Sequence, residues 1–167
     1  MNLYLLRHGL AVEPGTFEFG RDADRPLVPK GVSKLKKIAA AMKAMEISFD
    51  LILSSPYVRA RQTAEIVAAG LGVHKELQFS DTLMPAGSMK KLVELINQLQ
   101  PAPENVLLVG HEPFMSELIS LLASGKTDFA VVMKKGGLCK LAVQSLHAGR
   151  CAALEWLLTP KQMALMS

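Results

Sequence analysis

The sequence has little of the residues that build disulfide frameworks and metal centres. It contains two cysteines, Cys139 and Cys151, and neither belongs to a C-x-x-C motif. We therefore expect free thiols in a reducing compartment, which indicates a cytoplasmic protein. The sequence also lacks a cluster of carboxylates that would suggest a metal cage, and we expect neither a metal nor another cofactor.

Long apolar runs are also missing. None approaches the roughly 18 to 20 residues that a membrane span needs, so we expect no membrane partner. No basic segment precedes a long apolar one near Met1, and we therefore expect no secretory signal.

The charge excess is small, with a formal charge of +4 that fits an anionic substrate. The densest basic cluster, Lys34, Lys36 and Lys37, has no aromatic residues among its lysines, which is typical of a solvated helix face. We therefore expect no nucleic acid partner.

What the sequence does contain is the pattern of an α/β protein. Of its 167 residues, 50% are hydrophobic and 20% are charged, which suits one globular core. Short apolar runs alternate with segments of helical spacing. This alternation predicts a three-layer αβα sandwich, with a mostly parallel central sheet and an antiparallel edge strand. We expect a single domain over residues 1–167.

Apolar runs and their spacing predict the individual elements. Strands are predicted at residues 3–6, 50–54, 76–79, 105–109, 130–133, 138–143 and 152–158. Helices are predicted at residues 31–45, from 56 to Gly70 or Gly72, at 89–99 behind a Ser88 cap, and at 113–123. For the second helix, Ser55 is the predicted N-cap and Pro56 the first helical residue.

Two of the predicted strands lead directly into a histidine. Arg7-His8-Gly9 follows the apolar run 3–6, and Gly110-His111-Glu112-Pro113 follows the run 106–109. In an open α/β sheet, ligands bind beyond the carboxyl ends of the strands. The pattern therefore predicts one site that contains both His8 and His111.

Two arginines near these histidines suggest that the ligand is a phosphate. Arg59 is predicted in the first turn of the second helix, where free N–H groups and the helix dipole favour an anion. Arg59 and Arg7 can each pair with phosphate oxygens through two N–H groups. A neutral histidine has a lone pair that can attack phosphorus, in chemistry that needs no metal. Taken alone, Arg59 is better interpreted as a surface helix residue, and Arg61 is a nearby competitor.

Three other features bear on the site. The polar segment from Gly9 to Lys30 is long for a connection in a compact domain, which favours a functional loop. His74 and His147 fall in predicted loops, and we expect both to be bystanders. Gly136-Gly137 lacks the order of a phosphate-binding P-loop and is predicted to form a turn.

Three segments, in this order, resemble the histidine phosphatase superfamily, also called the phosphoglycerate-mutase-like family. They are residues 6–9 (Leu-Arg-His-Gly), 54–64, and 109–113 (Val-Gly-His-Glu-Pro). The resemblance implies that His8 is the nucleophile that becomes phosphorylated. It also implies that Arg7, Arg59 and His111 complete the phosphate pocket.

Within the superfamily, the chain looks most like the small SixA-type phosphohistidine phosphatases. It is short, and residues 24–31 (Asp-Arg-Pro-Leu-Val-Pro-Lys-Gly) and 83–87 (Leu-Met-Pro-Ala-Gly) resemble segments of that branch, as does the strand exit at 158–160. Val28 departs from the usual threonine of the first segment. Arg25 lies in that segment, and we expect it to bind substrate.

The segment 83–87 also has a mechanistic meaning. Mutase-type and phosphomonoesterase relatives have a glutamate there, the general acid for an alkoxide leaving group, where this chain has Pro85. When a phosphohistidine transfers its phosphoryl group, the leaving group is imidazole. Its conjugate acid has a pKa of about 6.5, so imidazole departs far more readily than an alkoxide. Asp81 and Glu112 remain candidates for a proton donor at another position.

The resemblance therefore implies a cytoplasmic protein-phosphohistidine phosphatase that works through a phospho-His8 intermediate. Its partners would be phosphate and a phosphohistidine-bearing protein, such as a phosphotransfer domain. Two alternatives stay open: a small-molecule phosphomonoesterase, and a phosphoprotein-binding module without turnover.

Overall fold

The computed structural model describes residues 1–16, 18 and 20–166. Its strands and helices follow in the order β1 (Asn2–Arg7), α1 (Pro29–Ala44), β2 (Leu51–Ser54), α2 (Val58–Leu71), β3 (Leu77–Phe79), α3 (Met89–Asn97), β4 (Asn105–Gly110), α4 (Phe114–Ser124), β5 (Leu138–Val143), β6 (Ala152–Leu158) and α5 (Pro160–Met163). Short 3-10 turns lie at Asp22–Asp24, His74–Glu76 and Asp81–Leu83. None of the helices in this part of the chain has the length and apolar character that a membrane span requires.

The strands form one sheet in the order β3-β2-β4-β1-β5-β6. The first four of these strands run parallel to one another, whereas β5 is antiparallel to β1 and β6 is antiparallel to β5. The predicted mostly parallel sheet with an antiparallel edge is therefore confirmed. The hairpin of β5 and β6 forms the edge beside β1.

Both faces of the sheet are covered by helices, as predicted for a three-layer sandwich. Along β1, Leu3 and Leu5 pack into the core beneath α3 and α4, while Tyr4 and Leu6 pack into the core beneath α1 and α2. This division follows from the two-residue period of a strand, which sends successive side chains to opposite faces. The two cysteines are free thiols, with Cys139 buried on β5.

The start of α2 differs from the prediction. The helix begins at Val58, and its cap residue Tyr57 makes no side-chain cap hydrogen bond, so the predicted Ser55 cap is wrong. The Ser55 hydroxyl instead accepts from the Tyr57 backbone N–H at 3.3 Å and bonds to His111 Nε2 at 2.8 Å. Arg59 still lies in the first turn, because the shift is only two residues. Gly72 ends the helix with φ +74°, a left-handed conformation that favours glycine.

The predicted strand Ala130–Met133 is also wrong, because residues 128–137 contain neither helix nor strand. Of this segment, Ala130 and Val132 are exposed and Met133 is buried. The run is apolar and β-branched, as strands often are, but β1 already has β4 on one side and β5 on the other. No position beside β1 is therefore open to a further strand.

Candidate active site

The carboxyl ends of β1, β2 and β4 meet at one edge of the sheet. The His8 N–H donates to the Gly110 carbonyl at 3.0 Å, and the Ser55 N–H donates to the Val109 carbonyl at 3.0 Å. These bonds continue the parallel ladders by one residue and set His8, Ser55 and His111 side by side. The ring centroids of His8 and His111 are 5.2 Å apart.

A cleft of about 350 Å³ opens over these strand ends. The residues predicted for the site from the sequence all line it: Arg7, His8, Arg25, Arg59 and His111. The described part of the loop from Gly9 to Lys30 forms one wall, through residues that include Glu13 and Asp22. His74, His147 and Arg61 are not among the lining residues.

His8 is held as a neutral ring with a defined tautomer. Its Nδ1 lies 2.8 Å from the Gly9 carbonyl oxygen, which can only accept, so Nδ1 carries the proton. Nε2 then accepts from Arg59 Nε at 3.3 Å. Burial lowers the pKa of His8 to about 3, helped by the charges of Arg59 and Arg7 and opposed by the bond to Gly9. The lone pair on Nε2 is therefore present at neutral pH.

Thr63 connects the nucleophile strand to helix α2. The Gly9 N–H donates to Thr63 Oγ1 at 3.0 Å, and the Thr63 hydroxyl donates to the Arg59 carbonyl at 2.7 Å. Thr63 is fully buried. The pair of bonds fixes the backbone that carries Arg59 against the residue that follows His8.

His111 is anchored at one nitrogen and unpartnered at the other. Its Nε2 lies 2.8 Å from Ser55 Oγ, and its ring packs edge-on against Tyr57 with centroids 5.2 Å apart. The pKa of His111 is lowered to about 3, mainly by burial. The electrostatic effects of His8 and Arg59 lower it further. The ring is therefore neutral, and Nδ1 has no hydrogen-bond partner among the described residues.

Two buried side-chain polar atoms in the described part of the chain have no hydrogen-bond partner, and both belong to this cleft. They are His111 Nδ1 and Arg7 Nε. The Arg7 side chain is held by a 2.8 Å bond from Nη1 to the Met133 carbonyl. A buried donor without a partner is costly, by roughly 1 to 3 kcal/mol for each group. Both residues line the cleft, where the oxygens of a bound anion could accept from these nitrogens.

Asp22 is a site residue that the sequence analysis missed. Its carboxylate pairs with Arg59 Nη2 at 2.9 Å and with Arg25 Nη2 at 2.6 Å, and its carbonyl accepts from Arg59 Nη1 at 2.7 Å. The one sequence signal was the position of Asp22 three residues before Arg25, within the segment that precedes the predicted helix. Lys135 was missed as well, because the Gly136-Gly137 pair was interpreted only as a turn.

Comparisons with known proteins identify the family of this chain. The model of the histidine phosphatase superfamily (branch 1) matches residues 3–85, which run from β1 through α2 to the segment with Pro85. The chain belongs to this superfamily. It is 38% identical over 143 residues to an uncharacterized protein of Picosynechococcus sp., with 84% of each chain covered.

The chain is also similar to SixA proteins, in sequence and in structure. It is 27% identical over 128 residues to the phosphohistidine phosphatase SixA of Escherichia coli, with 76% of this chain and 77% of that protein covered. The structure of a protein histidine phosphatase SixA complexed with tungstate superposes with a TM-score of 0.81 at 24% identity, covering 96% of this chain and 98% of the other. That superposition shows a shared fold.

The cleft of this superfamily member contains one of the two candidate proton donors. Pro85 and Glu112 line the cleft, whereas Asp81 is exposed in a 3-10 turn and does not. Glu112 Oε1 also accepts from the Ser116 N–H at 2.9 Å, at the start of α4. Position 85 therefore faces the site with a side chain that cannot donate a proton.

Proposed function

We propose that this protein is a protein-phosphohistidine phosphatase that works through a phospho-His8 intermediate. The observation that carries the proposal is the pair of buried, unpartnered nitrogens, Arg7 Nε and His111 Nδ1, beside a neutral His8. An oxyanion bound between them would be held next to the His8 lone pair. A phosphoryl group has the oxygens to satisfy both nitrogens while phosphorus faces the nucleophile.

The proposed reaction has two displacements. His8 Nε2 gives up the hydrogen bond from Arg59 Nε and forms a bond to phosphorus as the bond from phosphorus to the substrate ring nitrogen breaks. When the other ring nitrogen of the substrate carries a proton, neutral imidazole leaves. A water molecule then attacks the phospho-His8 phosphorus, the bond to Nε2 breaks, and inorganic phosphate is released with a proton lost from the water.

Arg59 and His111 have donors left for the phosphoryl oxygens. A guanidinium has five N–H groups. In Arg59, three of them donate to His8 Nε2, the Asp22 carbonyl and the Asp22 carboxylate, which leaves two for the phosphoryl group. The Ser55 hydroxyl would donate to His111 Nε2, and His111 Nδ1 would then carry the proton that a phosphoryl oxygen accepts.

The leaving group favours phosphohistidine over an alkyl phosphate. Pro85 lines the cleft at the position where mutase-type relatives have their acid. An alkoxide without a positioned acid is a poor leaving group, whereas imidazole, with a conjugate acid of pKa about 6.5, needs no such help. The 27% identity to a phosphohistidine phosphatase supports the same substrate.

Glu112 favours a second candidate function, a small-molecule phosphomonoesterase. Its carboxyl group lines the cleft and could protonate an alkoxide in place of the missing glutamate. The hydrogen bond that Glu112 accepts from the Ser116 N–H at 2.9 Å argues against this role, because it holds the carboxylate at the start of α4.

A turnover assay with a trapped intermediate tests the proposal. Phosphoimidazole and a phosphohistidine protein are compared with a panel of alkyl and aryl phosphates, and the enzyme is quenched during turnover. We expect an acid-labile, alkali-stable phosphate on the wild-type protein, and its loss together with turnover in His8→Ala. His74→Ala is the matched control, and we expect it to label as wild type. Retention of most activity by His8→Ala would refute the nucleophile assignment.

A further inference from the structure

A second, smaller hollow of about 80 Å³ adjoins the active-site cleft, and Lys135 lines both. The hollow has a basic rim formed by Lys135 and Lys34 of α1 and a lining of apolar side chains and glycine backbone. Among the residues that the structure describes, no acidic one lines it. In the described part of the chain, neither lysine forms an ion pair with a carboxylate.

The backbone at Lys135 is positioned relative to the nucleophile by the turn that follows it. The Gly136 N–H donates to the carbonyls of both Arg7 and His8, at 3.0 and 3.1 Å, and the Arg7 N–H donates to the Gly137 carbonyl at 3.1 Å. Gly136 has φ +79°, in the left-handed region where side chains are rarely tolerated. The turn therefore holds the lysine beside His8, and the Lys135 charge is one of those that lower the pKa of His8.

The helix that carries Lys34 is positioned by its close packing on the residues after His8. A Cβ at Gly31 would collide with the Leu10 carbonyl oxygen, and a Cβ at Gly9 would lie 2.6 Å from Leu35 Cδ1. Both glycines thus allow the helix to approach the loop. Lys34 stands on the same helix at the rim of the hollow.

The size and charge of the hollow suit a carboxylate group. A water molecule occupies about 30 Å³ in the liquid, so the hollow holds two or three waters or a group of that size. We propose that Lys34 and Lys135 form a subsite for the carboxylate of an acidic side chain next to the phosphohistidine on the partner protein. This inference rests on the proposed function, and it defines the class of substrate: phosphohistidine in an acidic surrounding.

The expected preference is modest and sensitive to salt. A solvent-exposed ion pair changes affinity by about two- to five-fold, so the two lysines together should favour an acidic neighbour by about three- to ten-fold. At about 1 M salt the Debye length falls to about 3 Å, which should remove most of the preference.

A pair of synthetic phosphohistidine peptides tests the subsite. They differ only in having Asp or Asn on both sides of the phosphohistidine, which changes charge at constant shape. Binding is measured by fluorescence anisotropy on the His8→Ala background, so that the readout does not depend on turnover. The variants added to that background are the double change Lys34→Gln with Lys135→Gln, and the control Lys36→Gln. Lys36 lies on the same helix, in a pocket against α2.

We expect the Asp peptide to bind three- to ten-fold more tightly than the Asn peptide, and the ratio to fall to about one in the double variant. The ratio should persist in Lys36→Gln. Equal binding of the two peptides, or an equal loss of the affinity ratio in both lysine variants, would overturn the subsite. If the wild-type protein still hydrolysed both peptides in that case, the proposed function would stand. If the lysine-dependent ratio is seen but the wild-type protein hydrolyses neither peptide, the proposed activity fails and the subsite stands. Failure of both peptides to bind would overturn the two together.

Discussion

Arg59 Nη2 lies 2.9 Å from Asp22 Oδ2 in an ion pair that joins helix α2 to the loop after β1. Arg59 is almost completely buried, whereas the Asp22 carboxylate is 51% exposed. The same carboxylate also accepts from Arg25 Nε at 2.8 Å. One exposed acid thus orients two arginines of the proposed phosphate pocket. Burial opposes the ionisation of Asp22, but its bonds to Arg25 and Arg59 outweigh burial and lower its pKa.

We expect Asp22→Asn to lower kcat/KM by about five- to ten-fold, because a half-exposed, charge-assisted contact contributes about 1 kcal/mol. Asp24→Asn is the matched control, since Asp24 lies in the same 3-10 turn but pairs with Arg21, whose side chain is 79% exposed. Steady-state kinetics and thermal unfolding of both variants make the comparison. Equal losses in the two would show that Asp22 supports only the loop.

Arg59→Ala should reduce kcat/KM by about 10²- to 10³-fold, with both kcat and KM affected, because its charge meets ground state and transition state alike. Arg59→Lys should recover only part of this, since an ammonium lacks the paired N–H groups of the guanidinium. Arg61→Ala is the control: its side chain is 47% exposed and lies 3.8 Å from Glu65, so we expect less than about a two-fold change. Equal damage from the two alanines would contradict the placement of Arg59.

The rate of the first displacement, measured as kcat/KM, should depend steeply on the leaving group. Phosphoimidazole and activated aryl phosphates should turn over, and alkyl phosphates should lag by about 10²- to 10⁴-fold, the contribution of general acid catalysis. Glu112→Gln keeps an oxygen for the Ser116 N–H and should leave this pattern unchanged. A flat dependence that becomes steep in Glu112→Gln would identify Glu112 as the acid and favour the phosphomonoesterase.

Stability should fall as pH drops below the ordinary histidine pKa. His8 and His111 each have a folded pKa of about 3, so the unfolded chain binds more protons between about pH 3 and pH 6.5. At pH 5 each histidine therefore costs about 2 kcal/mol, from about 1.5 pKa units at about 1.36 kcal/mol each. The stabilisation by Asp22 is lost only below about pH 3.9, so it adds little in this window. Urea unfolding at pH 7.5 and 5.0 measures the difference in the free energy of unfolding, and this difference should be smaller in His8→Asn. An equal difference in the variant and the wild type would contradict a neutral, buried His8.

Local patterns in the sequence determined the architecture and the central part of the site. The apolar runs 3–6 and 106–109 each end two positions before a histidine, His8 or His111. Parallel strands bring these carboxyl ends to one edge of the sheet. Those predictions rest on the two-residue period of strands and on the direction of parallel pairing, both of which are local rules. The third helix likewise begins behind the predicted Ser88 cap, whose hydroxyl accepts from the Lys91 N–H at 3.3 Å.

Contacts between distant parts of the chain decided the rest. Ala130–Met133 has the composition of a strand, but the sheet position beside β1 is occupied by β5. Ser55 has the composition of a helix cap, but its hydroxyl bonds His111, 56 residues away. Asp22 pairs with Arg59 across 37 residues, and Lys135 reaches the site because Gly136 bonds the backbone of β1. The spacing of apolar residues along the sequence does not predict such pairings, because each depends on how the strands and helices pack. Only the tertiary structure shows which groups then lie within hydrogen-bonding distance.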